Sequence, residues 1–102
     1  MTQVFEALAE PTRRDLLARL RDDGELSLNE LAAPLAMSRQ AVTKHLVTLE
    51  DAGLVEIEWK GRVKLHRLNA EPLKVVEDWL APYSAAWDRR FDRLRRHLED
   101  NG

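Results

Sequence analysis

Ser38, Arg39, Gln40, Thr43, Lys44 and His45 put hydroxyl, guanidinium, amide, ammonium and imidazole groups into a single eight-residue stretch. The stretch leads into Val42, Leu46 and Leu49, which fall at i, i+4 and i+7 and so form the buried stripe of a helix. At about 100° per residue, Gln40, Lys44 and Val47 then occupy the opposite face, with Thr43 and Thr48 on its flanks. That set suits the edges of DNA bases in the major groove. A glutamine pairs with adenine through two hydrogen bonds, a lysine reaches the guanine acceptors, and a valine or threonine methyl meets the thymine methyl. Arg39, at the helix start, reaches either a base or a phosphate. Ser38, Thr43 and the first-turn amides suit a phosphate oxygen, which the helix dipole also favours. His45 lies at the buried edge of the helix, where a structural role and a phosphate contact are both open. A second cationic group follows, since residues 59–67 hold Lys60, Arg62, Lys64 and Arg67 with no acid. Of these, Lys60, Arg62 and Lys64 suit the phosphate backbone or minor groove of DNA, and their alternative reading is edge protection, because lysines on a strand edge oppose aggregation.

The elements that hold these groups can be read from punctuation and period. Val4, Phe5 and Leu8 form a short apolar stripe, Pro11 starts a second helix through Leu16, Leu17 and Leu20, and Asp22-Asp23-Gly24 stops it. Ser27-Leu28-Asn29-Glu30 is a capping box that opens a short third helix, curtailed by Pro34. Ser38 caps the fourth helix and Gly53 ends it in the left-handed conformation. The period then changes: Val55, Ile57 and Trp59, followed by Val63 and Leu65, alternate with polar residues about a Lys60-Gly61-Arg62 tip. This predicts a β-hairpin in which Trp59 packs, base stacking being the alternative reading. Asn69 is positioned to cap a last helix carrying Leu73, Leu80, Trp87 and Leu94 at heptad spacing, with a break or kink at Pro82.

The fold class so defined is mainly α with a small β-hairpin, a winged helix-turn-helix. Residues 27–53 form the helix-turn-helix and 54–68 the wing, while 1–9 and 70–99 form dimerisation helices within a single domain, 1–102. A chain of 102 residues with 44% hydrophobic and 33% charged residues has the composition of one globular domain. The absence of cysteine excludes disulfides, thiolate catalysis and cysteine-ligated metals. With no signal-like start and no apolar run of about 18 residues, the chain is expected to be cytoplasmic and free of the membrane. The formal net charge is −2, so DNA binding has to arise from local charge placement, and residues 1–37 hold seven acids against four bases. Trp79, Tyr83, Trp87 and Phe91 are four of the six aromatic residues, more than one small protomer readily covers. Together with Val4, Phe5, Leu8, Leu80 and Leu94 they define a homodimer face, which sets two recognition helices on one side of a two-fold axis to match a palindrome.

Glu10-Pro11-Thr12-Arg13-Arg14, Met37-Ser38-Arg39-Gln40-Ala41-Val42-Thr43-Lys44-His45-Leu46 and Glu50-Asp51-Ala52-Gly53-Leu54-Val55 resemble the ArsR family of bacterial and archaeal repressors, over nearly the whole chain. Trp79-Leu80-Ala81-Pro82-Tyr83, with Trp87 and Phe91-Asp92-Arg93-Leu94, is similar to the non-metal members. The resemblance implies a homodimeric winged-helix repressor with Ser38, Arg39, Gln40, Thr43, Lys44 and His45 on its recognition helix. Metal-sensing members carry two cysteines where this chain has Ser27 and Asn29, so a thiolate site for arsenite, cadmium or lead has no ligands. A second family site uses Asp and His on the last helices. The chain has only Asp88, Asp92 and His97 there, at spacings unsuited to one site, so no metal and no cofactor is expected. The expected function is a sequence-specific DNA-binding repressor, and the alternative is a winged helix that binds protein instead. An enzyme is excluded for want of a phosphate loop, a metal cluster or a nucleophile with its base. A small-molecule inducer is left open, because no residue names one.

Overall fold

Proline at a first helical position, paired hydroxyl caps and three glycines at positive φ divide this chain into short elements. The computed structural model describes residues 2–100. In order these are α1 (Thr2–Leu8), α2 (Pro11–Asp23), β1 (Leu26–Ser27), α3 (Leu28–Ala32), α4 (Arg39–Asp51), β2 (Val55–Lys60), β3 (Val63–Leu68), a 3-10 turn (Glu71–Leu73) and α5 (Lys74–Asp100).

The caps work as the sequence suggests. Ser27 Oγ accepts from Glu30 N while Glu30 returns a carboxylate oxygen to Ser27 N, and Ser38 Oγ accepts from Ala41 N at 3.1 Å. Two groups of orphan amides are thereby satisfied at the two starts that fix the helix-turn-helix angle. Gly53 ends α4 at φ 78°, a conformation that costs any side-chain-bearing residue, and a Cβ there would also meet Pro72 Cγ at 3.4 Å.

The core lies where α2, α3 and α4 meet the sheet. Leu16, Leu17 and Leu20 of α2, Leu31 of α3, and Val42, Leu46 and Leu49 of α4 are buried with Leu54 and Val55. Val4 and Ala7 of α1 join the same core, Val4 being 6% exposed, so Val4 is spent inside its own protomer and leaves the proposed dimer face.

Four expectations need correction. The wing is not an isolated hairpin: β1 pairs antiparallel with β3, giving a three-stranded sheet in the order β1-β3-β2. A two-residue strand carries too little period for detection. The faces of β3 are also inverted, because register pairs Ile57 with His66 and Val55 with Leu68. His66 and Leu68 thus turn toward the core, and Val63 is exposed. The last helix begins later than Asn69 implies, since Asn69 Oδ1 accepts from Glu71 N to start the 3-10 turn that precedes α5. Finally, α5 is not broken at Pro82 but continues as one helix through it, which removes the first of the two outcomes expected there. Both Asp78, whose carbonyl the proline leaves without its donor, and Pro82 itself lie on exposed helix, where water can serve that carbonyl.

Candidate nucleic-acid interface

α4 buries Val42, Leu46 and Leu49 and turns Arg39, Gln40, Thr43, Lys44 and Val47 to solvent. The side chains of Arg39, Gln40 and Lys44 have no hydrogen-bond or ion-pair partner among the described residues. Ser38 keeps its hydroxyl proton for a further acceptor, because its oxygen serves the cap. Thr43 does not, since its Oγ1 donates to Arg39 O at 2.8 Å, which leaves only an acceptor for a ligand.

The wing cations separate into two pairs. Lys60 Nζ lies 3.0 Å from Glu25 Oε2, and Arg67 holds Glu56 and Glu58 at 2.7 and 3.2 Å. The hydrogen bond from Lys60 holds the Glu25 carboxyl below the usual carboxylate range and raises Lys60. Neither cation is then available without breaking a pair. Arg62 and Lys64 are exposed and make no ion pair among the described residues. Arg62 sits in the two-residue turn with Gly61, whose φ of 63° at the first central position fits a type II′ hairpin. Lys64 faces α4, and with Thr43, Leu46, Val47, Glu50, Leu28 and His66 it lines a cavity of about 190 Å³ between helix and wing.

His45 belongs to a different assembly. Arg13 Nη1 lies 3.3 Å from His45 Nδ1, and since guanidinium has no lone pair to offer, Nδ1 is the acceptor. His45 Nε2, which therefore carries the proton, lies 3.8 Å from Glu10 Oε2. The same guanidinium donates from Nε to Ala7 O at 2.7 Å and from Nη2 to Glu6 O at 2.9 Å, closing the carbonyl end of α1. The sequence reading missed this hub. Its signal was a misplaced charge: arginines in the first turn of α2 oppose that helix's dipole, whereas α1 has no basic residue in its own last turn.

His66 is the one buried polar or charged residue among those described, at 4% exposure, and its Nδ1 donates to Leu26 O at 3.1 Å, tying β1 to β3. Burial lowers its pKa, as does Lys64 to a lesser extent, while the Leu26 bond and Glu50 act in the other direction. The unfolded chain therefore binds the proton more readily. Stability is full above the ordinary imidazole value of 6.5 and falls as pH drops through it toward the lowered folded value. The expected slope from this group is at most about 1.4 kcal/mol per pH unit. Urea unfolding of His66→Asn, which keeps a donor at the Nδ1 position without titrating, should close on the wild type as pH falls below 6.5; a constant difference would exclude the effect.

Trp59 corrects another expectation, being 63% exposed rather than packed in the hairpin. The aromatic row on α5 is divided between contacts within the protomer and solvent. Phe5 and Trp79 meet edge-on at 5.9 Å and Trp79 tilts against Tyr83 at 5.3 Å, which joins α1 to α5 within one chain. Tyr83, Trp87, Phe91 and Leu94 remain half or more exposed, whereas Leu80 and Leu8 are partly buried. Of the residues at the positions of the family's metal ligands, Ser27 is used by its capping box and Asp92 by Arg95. No helix among the described residues is long and apolar enough to cross a membrane.

A capped helix-turn-helix followed by a wing defines a DNA-binding winged helix. A family described as a helix-turn-helix domain matches residues 8–58. The HTH-type transcriptional regulator YuzN of Bacillus subtilis is 42% identical over 84 residues, covering 76% of this chain and 91% of its own. The transcriptional repressor SdpR of the same organism is 29% identical over 80 residues, covering 78% and 88%. The crystal structure of an ArsR family transcriptional regulator superimposes with a TM-score of 0.73 at 39% identity, covering 85% of this chain and 89% of that one. The chain belongs to the ArsR family and is a DNA-binding transcriptional regulator, not an enzyme.

Proposed function

We propose that the protein is a homodimeric repressor of a palindromic operator, in which each protomer lays α4 in a major groove and its wing alongside. The observation that carries the DNA contact is the row Arg39, Gln40, Lys44 on α4 with Arg62 and Lys64 on the wing: exposed polar groups with no partner among the described residues. Ser38 and the first-turn amides add a phosphate seat, and Thr43 contributes an acceptor and a methyl. Lys60 joins only by exchanging Glu25 for a phosphate, and His45 acts from behind by fixing the helix. Repression follows the name of SdpR and the ordinary consequence of occupying a promoter.

The dimer is supported by α5. Its 27 residues include none that is buried, and the radius of gyration is 18.7 Å where about 13 Å is usual for a compact chain of this length. A helix with a continuous apolar stripe gains little stability in that state, so a second copy of the stripe is its natural cover. Tyr83, Trp87, Phe91 and Leu94, with Phe5, Leu8 and Leu80 at the margin, form that face.

Selection from random duplex DNA tests the reading. A palindrome with half-sites about one turn apart is expected, bound on the order of 10³-fold more tightly than scrambled duplex. Gln40→Ala should cost about 1–3 kcal/mol on that operator and little on scrambled DNA. Arg62→Ala should weaken both duplexes alike and reduce the log affinity against log salt slope by about 1. No enrichment together with no salt dependence would overturn the reading in favour of the protein-binding alternative.

A further inference from the structure

The wing carries a large apolar side chain that the fold does not use. Trp59 is 63% exposed, although its neighbours two and four positions away on the same face of β2, Ile57 and Val55, are half-buried and buried. Strand register assigns it a place. Trp59 pairs with Lys64, so both side chains leave the sheet on the face that turns toward α4. Lys64 in turn shares its cavity with Thr43 and Val47, and Val47 is 47% exposed on the outer side of α4. Val47, Lys64 and Trp59 therefore form a strip from the recognition helix onto the wing, and Arg62 follows in the adjoining turn. The series alternates apolar and cationic groups, and its two cations are unpaired among the described residues.

A solvent-exposed indole between two free cations matches one surface well. Duplex DNA presents a phosphate line to Lys64 and Arg62, with apolar deoxyribose and base edges in the groove between. The opposite face of the same hairpin contrasts with this: Glu56 and Glu58 are held by Arg67, and Lys60 by Glu25, so that face is closed by its own charges. We infer that Trp59 is a DNA-contacting residue of the wing, which lays its indole against sugar and base edges in the groove next to the half-site read by α4. The contact is apolar and shape-dependent, of the kind by which side chains wedge into a minor groove. It adds affinity without neutralising a phosphate.

This inference rests on the proposed DNA-binding function, and the test separates the two. Trp59→Ala and Trp59→Phe are compared with the wild type on the selected operator across a range of salt concentrations. Trp59→Ala is expected to bind about ten-fold more weakly with an unchanged salt slope, whereas Arg62→Ala lowers the slope by about 1. Trp59→Phe is expected to stay within about three-fold of the wild type, since it keeps an aromatic face. Tryptophan emission should shift on adding operator to the wild type, and the shift should vanish in Trp59→Phe because Trp79 and Trp87 lie on α5. Wild-type affinity in Trp59→Ala, or an emission shift that survives in Trp59→Phe, overturns the inference and leaves the DNA-binding function standing. A fall in thermal midpoint or loss of the dimer in Trp59→Ala also overturns it, by assigning the indole to packing. Failure of the wild type to bind any duplex is the result that removes the proposed function itself.

Discussion

Replacing Trp87 and Phe91 together by glutamate is expected to yield a folded monomer that no longer holds its operator. Phe91 is 67% exposed and Trp87 51%, and neither belongs to the protomer's core, so the substitution removes almost nothing from α2, α3, α4 and the sheet. Glutamate is also a good helix former, and α5 keeps its intrinsic propensity. What changes is the apolar stripe: two charges at i and i+4 would have to be desolvated in the centre of the proposed two-fold contact, each at a cost of several kcal/mol. Light scattering should report half the wild-type mass, with the core amides still protected from exchange. Operator affinity should fall by at least about 100-fold, because the second half-site is no longer linked to the first and its binding becomes bimolecular. A variant that stays dimeric would place the interface elsewhere.

The same division between groups that serve the protomer and groups left over explains what could be read from the sequence. Caps, stops and the core stripe of α4 depend on neighbours within four residues, so Ser27 with Glu30, Ser38 and Gly53 were legible. Groups whose partners lie far away along the chain were not. Lys60 and Arg67 counted equally with Arg62 and Lys64 as free charge, and only the fold brings Glu25 to the first and Glu56 with Glu58 to the second. His66 read as the polar partner of an alternating strand until register against Ile57 turned it inward. Trp59 fits the alternation of β2, yet β2 extends beyond the helices that could cover it, and period alone does not say where a core ends. Val4 was misassigned for a related reason, because an apolar stripe does not state whether its own protomer or a second copy covers it.

Arg13 supports the second large expectation. Arg13→Ala should lower the unfolding free energy by about 2–4 kcal/mol, against less than about 1 kcal/mol for Arg14→Ala. The two residues are adjacent and both reach back to α1, so charge and helix propensity cancel in the comparison. Arg14 is exposed and makes one bond, to Leu8 O at 2.7 Å. Arg13 is partly buried and makes three, to Ala7 O, Glu6 O and His45 Nδ1. Its removal leaves two carbonyls at the end of α1 without their donor and frees His45, through which α2 holds the recognition helix. Arg13→Lys should not restore stability, since one ammonium on a flexible stem cannot reproduce a planar fork aimed at three acceptors on two elements. In the folded fraction, DNA affinity should also fall, because α4 then keeps its buried stripe but loses the tether that fixes its rotation about that stripe. Urea unfolding of the three variants beside the wild type measures the first effect and operator titration at low temperature the second. Equal destabilisation by Arg13→Ala and Arg14→Ala would show that the hub contributes only charge, and His45 would then be free to return to the list of phosphate contacts.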